Sequence, residues 1–400
     1  MAMPATTPTP AQAWSVAVMR ELARRRLPQP LFDFIDGGAE DEGTLRANEA
    51  DFDDWAVLPR PLDGAGTRDL SITLFGHRLA SPVLIGPTGL AGLFWPRGEV
   101  AAARAAAARG TVYSLSHGSV CTLEALAQAH GEGGLRWMQV YVYRDRGFTR
   151  ELVDRARAAG YHGLIVTLDN QLLGKRERDL VHGFTIPPRI GPRQWLQFAS
   201  RLPWCWAMRG ELRRITFGNY VRPDRPESAA QLAGRMGEML DPGMTWADIA
   251  EVRRQWAGPL LLKGVLHPQE AQRALAEGID GVVVSNHGGR QLDGALSSVR
   301  ALPAVARAAQ GRMAVLIDGG IRRGSDVFKA LALGADAVLV GRPHLWGLAA
   351  GGQAGVERVL QVLDSELDRV MGLAGVRRVA DIASAGLLVP NVAPREAAAP

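Results

Sequence analysis

The sequence predicts an α/β protein built on a closed (β/α)8 TIM barrel, and three observations favour that fold. Eight short β-branched or aromatic runs recur after residue 80, helical segments lie between most of them, and polar residues or glycines follow each run. Eight strands alternating with helices favour a closed parallel barrel over a doubly wound sheet. The runs are Pro82–Pro87, Thr111–Ser116, Trp137–Tyr143, Gly163–Asp169, Pro259–Val265, Gly281–Ser285, Met313–Asp318 and Ala337–Gly341.

Two helical patterns precede the barrel. Prolines at 28 and 30 separate the pattern over Trp14–Arg26 from a short one over Leu31–Asp36. We expect an N-terminal helical layer that buries its apolar side against the barrel. Residues 1–12, rich in Pro, Thr and Ala, are predicted to be disordered.

The fourth and fifth runs are about 90 residues apart, far more than a crossover helix needs. This spacing predicts a long insertion after strand 4, over residues 183–245. The barrel domain is predicted to span residues 13–380, and residues 381–400 are expected to form a C-terminal tail.

Composition limits the function only loosely. The net charge of +5 comes from an excess of arginine, which permits anionic partners but specifies none, and no nucleic-acid partner is predicted. The two cysteines, Cys121 and Cys205, are far apart, which argues against a disulfide framework or a metal site and fits a reducing compartment. No run of about 18 apolar residues occurs, so we expect a cytoplasmic protein.

The stretch Ser285–Asp293 carries the clearest chemical signal. A potential base, His287, and a guanidinium, Arg290, follow a buried strand within a few residues. Histidine can accept a proton near neutral pH, and arginine can hold a carboxylate by two parallel hydrogen bonds. The pair suggests a small anionic substrate that loses a proton, whereas a polar turn with a capped histidine is the structural alternative.

Other strand ends carry polar side chains too, and in this type of barrel the active site lies at those ends. Strands 7 and 8 end in Asp318-Gly319-Gly320-Ile321-Arg322 and Gly341-Arg342, where glycines and arginines predict a phosphate-binding site. Earlier strands end in Pro87, Thr88, Gly89, Ser116, Gln139, Tyr141, Thr167, Asp169 and Lys263.

Lys263 stands alone in an apolar strand, which is costly unless an anionic group meets it. A reduced flavin would supply such a group, and a Schiff-base lysine is the competing interpretation.

Taken together, the motif Ser285–Asp293 and these strand ends resemble the FMN-dependent L-2-hydroxy acid oxidases and dehydrogenases over about Leu31–Gly375. This family includes glycolate oxidase, L-lactate dehydrogenases and (S)-mandelate dehydrogenase, and the pattern is most similar to mandelate dehydrogenase-like members. The resemblance implies FMN as cofactor, a 2-hydroxy acid as substrate and a homo-oligomer, commonly a tetramer.

The resemblance also implies residue roles. His287 would take the substrate proton and Asp169 would orient it, by either a hydride or a carbanion route. Arg176 and Arg290 would bind the carboxylate and Tyr141 the hydroxyl. Lys263 would lie at flavin N1. The remaining cofactor-binding positions would be Pro87, Thr88, Gly89, Ser116, Gln139, Thr167, Ser285, Asp318, Gly320, Arg322, Gly341 and Arg342.

Three departures from the family pattern bear on the substrate. Phe34 replaces a tyrosine that usually contacts the carboxylate, Gly118 replaces a bulky tryptophan, and Gly89 replaces the commoner alanine. Smaller residues leave room above the flavin, so we expect a large or aromatic substrate such as (S)-mandelate rather than glycolate.

Residues 189–214 combine tryptophans with arginines, a composition typical of an interfacial membrane anchor. Mandelate dehydrogenase-like relatives use the corresponding loop for membrane attachment. An anchor would place the protein on the inner face of the cell membrane and favour a quinone acceptor, whereas an oxidase would use O2. The alternative is a lid or subunit contact whose aromatic residues pack on the barrel.

Two other functions stay open on sequence grounds. One is a non-redox phosphate-binding barrel enzyme that uses Lys263 or His287, and the other is a barrel that serves only as a peripheral membrane or scaffolding protein.

Overall fold

The computed structural model describes residues 8–131, 133–184, 198–212, 215–221 and 229–391. Eight parallel strands close a barrel in the order β10-β11-β4-β5-β6-β7-β8-β9, which confirms the predicted (β/α)8 fold. The barrel strands are β4 (Val83–Thr88), β5 (Tyr113–Leu115), β6 (Arg136–Val140), β7 (Gly163–Thr167), β8 (Leu260–Val265), β9 (Gly281–Val284), β10 (Ala314–Asp318) and β11 (Ala337–Val340).

Seven of the helices described between or after these strands cover the outside of the barrel. They are α4 (Gly98–Ala108), α5 (Leu123–His130), α6 (Arg146–Ala158), α11 (Pro268–Ala276), α12 (Ser298–Ala309), α13 (Gly324–Ala332) and α14 (Arg342–Ala374). The last is kinked at Gly351–Gly352, where the backbone leaves helical geometry and Gly352 lies against Trp95.

A short antiparallel hairpin plugs the bottom of the barrel. It consists of β2 (Ile72–Leu74) and β3 (His77–Leu79), whose Leu74 and Leu79 are buried among the apolar side chains of the barrel strands. Because this end is filled by apolar packing, polar chemistry can collect only at the opposite, carboxyl end of the strands.

The N-terminal layer consists of α1 (Val16–Arg26), α2 (Gln29–Asp36) and α3 (Gly43–Ala50). As predicted, the first helix stops before the prolines, and Pro30 lies in the first turn of the second, where its missing N–H costs nothing. The buried face of α1 packs against α14.

Short elements of secondary structure occur in both predicted terminal segments where the structure describes them. Pro10–Gln12, within the segment predicted to be disordered, forms a 3-10 turn. β12 (Leu388–Pro390), within the predicted tail, pairs with β1 (Trp55–Val57) in the N-terminal layer. The hydrogen bonds of this small sheet attach the C-terminal segment to the N-terminal layer. Residues 1–7 and 392–400 lie outside the described residues.

The insertion between β7 and β8 contains α7 (Glu177–Val181), α8 (Leu202–Met208), α9 (Ala229–Met239) and α10 (Trp246–Gln255). Part of it is firmly packed: Trp204 is only 1% exposed, and its indole N–H donates to the Leu93 carbonyl at 3.1 Å. Within the described ranges, no helix is long and apolar enough to cross a bilayer.

Candidate functional site

A cavity of about 340 Å³ opens at the carboxyl end of the barrel. It brings together residues from the strand ends, from α2 and from α7. Of the residues that the sequence singled out, Asp169 and Ser285 lie just behind its wall. Those that line it are Phe34, Pro87, Thr88, Gly89, Ser116, Gly118, Gln139, Tyr141, Thr167, Arg176, Lys263, His287, Arg290, Asp318, Gly320, Arg322, Gly341 and Arg342.

His287 and Asp169 form a hydrogen-bonded pair at the cavity wall. The imidazole Nδ1 lies 3.0 Å from Asp169 Oδ1, and the Gln291 amide donates to the Asp169 carbonyl at 2.8 Å. A carboxylate cannot donate, so Nδ1 carries the proton and Nε2 of the neutral ring is free to accept one. The pair therefore has the geometry of a base and its orienting carboxylate.

The electrostatics of the pair suit proton transfer. Burial lowers the pKa of His287, which the neighbouring Asp169 only partly offsets. Burial acts to raise the pKa of Asp169, but its interactions with His287 and Lys263 outweigh burial and leave this pKa below its usual value. A neutral imidazole thus stands beside an ionised carboxylate near neutral pH.

Two arginines face the same cavity without a described carboxylate in hydrogen-bond contact. Among the described residues, Arg290 donates only to the carbonyls of Phe34 and Gly37, at 2.6 and 3.0 Å, and Arg176 makes no hydrogen bond or ion pair. Burial, with the charges of Arg176 and Arg342, lowers the pKa of Arg290 well below its usual value. Buried cations without anions are costly, so this end of the cavity is suited to an anionic ligand.

Lys263 is buried at the end of β8, as expected for a lysine that meets anionic groups. Its Nζ lies 2.9 Å from Asp318 Oδ2 and donates to the Ser285 hydroxyl at 2.9 Å. Burial acts to lower the pKa of Lys263, but Asp318 and Asp169 outweigh it and raise the pKa, so the amine stays charged. A permanently charged amine is a poor Schiff-base nucleophile but a good electrostatic partner for an electron-rich ring.

The ends of β10 and β11 carry the predicted phosphate-binding residues. Arg342 donates to the carbonyls of Gly288 and Gly37, and its Nε has no partner among the described residues. Arg322 pairs with Glu49 at 2.7 Å. Gly320 is required by packing, because a Cβ there would lie 1.8 Å from the Asn48 carbonyl oxygen.

The middle of the cavity offers polar groups that an elongated cofactor can use. Gln139 accepts from the His117 backbone N–H through Oε1, at 3.1 Å, and its Nε2 has no partner among the described residues. Asp318 Oδ1 is also buried and without a described partner. The cavity thus offers a hydrogen-bond donor in its middle and a charged lysine beside that donor. The glycines and arginines lie at the ends of β10 and β11. Together these groups suit a ring system that carries a phosphorylated side chain.

The three residues that depart from the family pattern lie together at the substrate side. The Phe34 ring stacks on Phe184 at 4.4 Å, and the Arg290 guanidinium lies 5.1 Å from its centroid. A Cβ at Gly118 would contact only the Ser116 hydroxyl, at 3.8 Å, whereas one at Gly89 would press on the Gly118 carbonyl at 3.2 Å. The room for a larger substrate therefore comes from Gly118 more than from Gly89.

Sequence reasoning missed several cavity residues. Asp179 faces Arg176 and Arg290, and burial raises its pKa. Phe184 and Tyr220 come from the insertion, in which the sequence indicated no cavity residue. The proximity of Asp179 to Arg176 in the chain could have indicated its place, whereas no local pattern indicates Tyr220.

Comparison with known proteins identifies the family of the chain. A model of the FMN-dependent dehydrogenase family matches residues 23–389, which is most of the chain. An L-lactate dehydrogenase of Caulobacter vibrioides is 46% identical over 371 residues, covering 92% of this chain and 96% of its own length. One from Xanthomonas oryzae pv. oryzae is 45% identical over 369 residues, covering 92% and 94%.

Two solved structures are similar over nearly the whole fold. The monotopic membrane protein (S)-mandelate dehydrogenase has a TM-score of 0.90 at 37% identity, covering 95% of this chain and 100% of its own. Mandelate oxidase with (S)-4-hydroxymandelic acid has a TM-score of 0.82 at 36% identity, with coverage of 95% and 100%. The chain belongs to the FMN-dependent dehydrogenase family, as its sequence motifs indicated. It is therefore a flavoenzyme whose cofactor is FMN.

Proposed function

We propose that the enzyme oxidises an L-2-hydroxy acid with an apolar or aromatic side chain to the 2-oxo acid. The observation that carries this proposal is the His287–Asp169 pair, which lies in one cavity with Arg176 and Arg290. A base beside two carboxylate-binding cations is what a hydroxy acid requires. The curated relatives named for lactate and the structural neighbours named for mandelate are in line with this substrate class.

Different cavity residues bind the substrate and remove its proton. Arg176 and Arg290 bind the carboxylate, and Tyr141, whose pKa is raised mainly by burial, stays protonated and holds the hydroxyl oxygen. Nε2 of His287 takes the hydroxyl proton, and the Asp169 carboxylate stabilises the imidazolium that results. FMN, when bound, supplies the acceptor for the two electrons and the α-hydrogen. In a carbanion route the same residues would bind the substrate, but Nε2 of His287 would take the α-proton instead of the hydroxyl proton.

Specific residues would hold the cofactor. Lys263 supplies positive charge to the ring, and Gln139 supplies a donor. Arg342 and Arg322 supply charge for the phosphate, for which Arg322 would exchange its exposed partner Glu49. The other cofactor contacts proposed on the family pattern are Pro87, Thr88, Gly89, Ser116, Thr167, Ser285, Asp318, Gly320 and Gly341.

The shape of the substrate end favours a large side chain. Phe184, Leu173, Leu240 and Tyr220 line the same cavity as Gly118, where a side chain would meet little protein. An aryl group would bury against these residues, and each buried methylene contributes about 0.8 kcal/mol. Phe34, which stacks on Phe184 and lies beside the Arg290 guanidinium, contributes apolar surface and no hydrogen bond, because its side chain has no polar atom.

An anaerobic absorbance spectrum tests the reaction and the substrate together. We expect flavin absorbance that bleaches on addition of (S)-mandelate, more slowly with L-lactate and least with glycolate. His287→Gln should bind FMN but bleach roughly 100- to 10,000-fold more slowly. A protein without flavin absorbance, or a clear preference for glycolate, would overturn the corresponding part of the proposal.

The electron acceptor is proposed to be a membrane quinone rather than O2, with peripheral contact through the insertion. The likeness to a monotopic membrane dehydrogenase supports this proposal. Comparing the rates at which a short-chain quinone and O2 reoxidise the reduced enzyme would decide between dehydrogenase and oxidase. A homotetramer is also expected from the family pattern, and light scattering of the purified protein would test it.

A further inference from the structure

His344 is a buried histidine that the proposed reaction does not use. It lies in the first turn of α14 and is fully inaccessible to solvent. Its ring bridges two groups: Nδ1 lies 2.9 Å from the Val340 carbonyl oxygen, and Nε2 lies 3.1 Å from the Thr88 hydroxyl. Since Thr88 lines the cofactor cavity, His344 stands directly behind that wall.

The two contacts determine which nitrogen carries the proton. A carbonyl oxygen only accepts, so Nδ1 must donate to Val340. Burial lowers the pKa of His344 to about 4, so the ring is neutral near pH 7 and has a single N–H. Nε2 therefore holds a lone pair, and the Thr88 hydroxyl must be the donor in the contact between them.

This arrangement fixes what Thr88 can offer to a ligand. A threonine hydroxyl has one proton and two lone pairs. With the proton directed at His344, only the lone pairs remain for a group in the cavity. Thr88 can therefore accept a hydrogen bond there but cannot donate one.

We propose that His344 is a positioning residue for the cofactor, which holds the Thr88 hydroxyl as an acceptor for an N–H or O–H group of FMN. FMN carries such donors on its ring imide and on its ribityl hydroxyls. The inference rests on the proposed place of Thr88 in the cofactor site. It does not depend on which hydroxy acid is oxidised.

FMN affinity of the apoprotein, titrated without substrate, tests this role through a double-mutant cycle. His344→Leu and Thr88→Val should each raise the dissociation constant of FMN by roughly 5- to 20-fold. The double variant should bind FMN no more weakly than Thr88→Val alone, because both changes remove the same hydrogen bond. His344→Gln, whose amide can donate to Val340 and accept from Thr88, should stay within about threefold of the parent.

His130→Leu is the matched control, because it removes another buried imidazole that does not line the cavity, and it should leave FMN affinity unchanged. An unchanged affinity in folded His344→Leu, or additive losses in the cycle, would refute the proposal. If His344→Leu does not fold, His344→Gln decides, since a loss of about tenfold or more would contradict the assigned hydrogen bonds. The two outcomes can be told apart. If the two substitutions are non-additive in FMN affinity but no hydroxy acid bleaches the flavin, this inference would stand and the proposed substrate class would be refuted.

Discussion

At the scale of single residues, the backbone of His287 shows how the site orients its base. His287 has a positive φ of 59°, which a non-glycine residue adopts rarely and at a cost. The Ser285 hydroxyl accepts from its backbone N–H at 3.0 Å, and Asp169 binds its ring. These contacts offset the backbone strain and direct Nε2 away from Asp169, so that the ring can serve as the base.

The shifted pKa of His287 predicts the pH dependence of catalysis. The proposed base must be neutral, and its pKa lies below that of a free imidazole, about 6.5. We expect kcat/KM to be constant near neutral pH and to fall only as the pH drops below that value. Because Asp169 acts to raise this pKa, Asp169→Asn should move the acid limb to still lower pH while reducing the rate. A fall in kcat/KM that begins above a pH of about 7 as the solution is acidified would contradict the assignment of His287 as the base.

Gly118 offers a residue-scale test of substrate size. Gly118→Trp should fill the space beside Ser116, lowering kcat/KM for (S)-mandelate about tenfold or more and for L-lactate less than about threefold. Gly66→Trp is the control, because Gly66 is exposed and a Cβ there contacts nothing. Equal losses for both substrates would show that the aryl group lies elsewhere.

At the scale of elements, a cluster of ionisable side chains joins α7 and the residue that follows it to α2 and to Glu42. Arg178 Nη2 lies 2.5 Å from Glu42 and Nη1 lies 3.4 Å from the buried Asp36. His182 Nδ1 lies 2.7 Å from Asp33 Oδ2. Since Arg176 precedes α7 and Phe34 lies on α2, this cluster fixes the distance between two walls of the substrate site.

Arg178→Ala should therefore weaken substrate binding without weakening FMN binding. The Arg178 side chain is 41% exposed, so we expect the free energy of substrate binding to weaken by roughly 1–2 kcal/mol. This is less than the value of about 3–5 kcal/mol expected for breaking a fully buried ion pair. This loss should appear as a KM raised about tenfold with kcat nearly unchanged, and Arg178→Lys should restore part of it. Arg157→Ala, which breaks an exposed pair with Asp154, is the control. A fall in kcat alone would contradict a role in positioning.

At the scale of the whole molecule, the structure divides the apolar residues of the insertion into a buried set and an exposed set. Phe198, Trp204 and Met208 are buried, as the lid alternative expected, whereas Leu202 and Trp206 are 68% and 71% exposed. Trp195, Arg213 and Arg214 lie outside the described residues. Deleting residues 189–214 would therefore uncover the protein core as well as remove any anchor.

Point variants are a sharper test of membrane contact than deletion. If the exposed side of α8 enters the interface, Leu202→Ser with Trp206→Ser should lower binding to anionic liposomes about tenfold or more, because burying each side chain contributes roughly 1.5–3 kcal/mol. The paired control is Leu62→Ser with Leu373→Ser, at two exposed leucines outside the insertion. Unchanged co-sedimentation of the α8 variant would count against the proposed anchor.

The barrel, its strand ends and about half of the residues that line the cavity could be predicted from the sequence. The barrel and the residues at its strand ends follow from local periodicity and from a general property of parallel barrels, whose strand ends meet at one face. Phe34, Gly118 and Arg176 were named from the resemblance to the family instead. The tertiary structure alone decided the contacts between distant segments: the stacking of Phe34 on Phe184, the Arg178 cluster, the burial of Trp204 and the contact of His344 with Thr88. Such contacts depend on how folded elements pack against one another, and hydrophobic periodicity within a segment does not encode its partner.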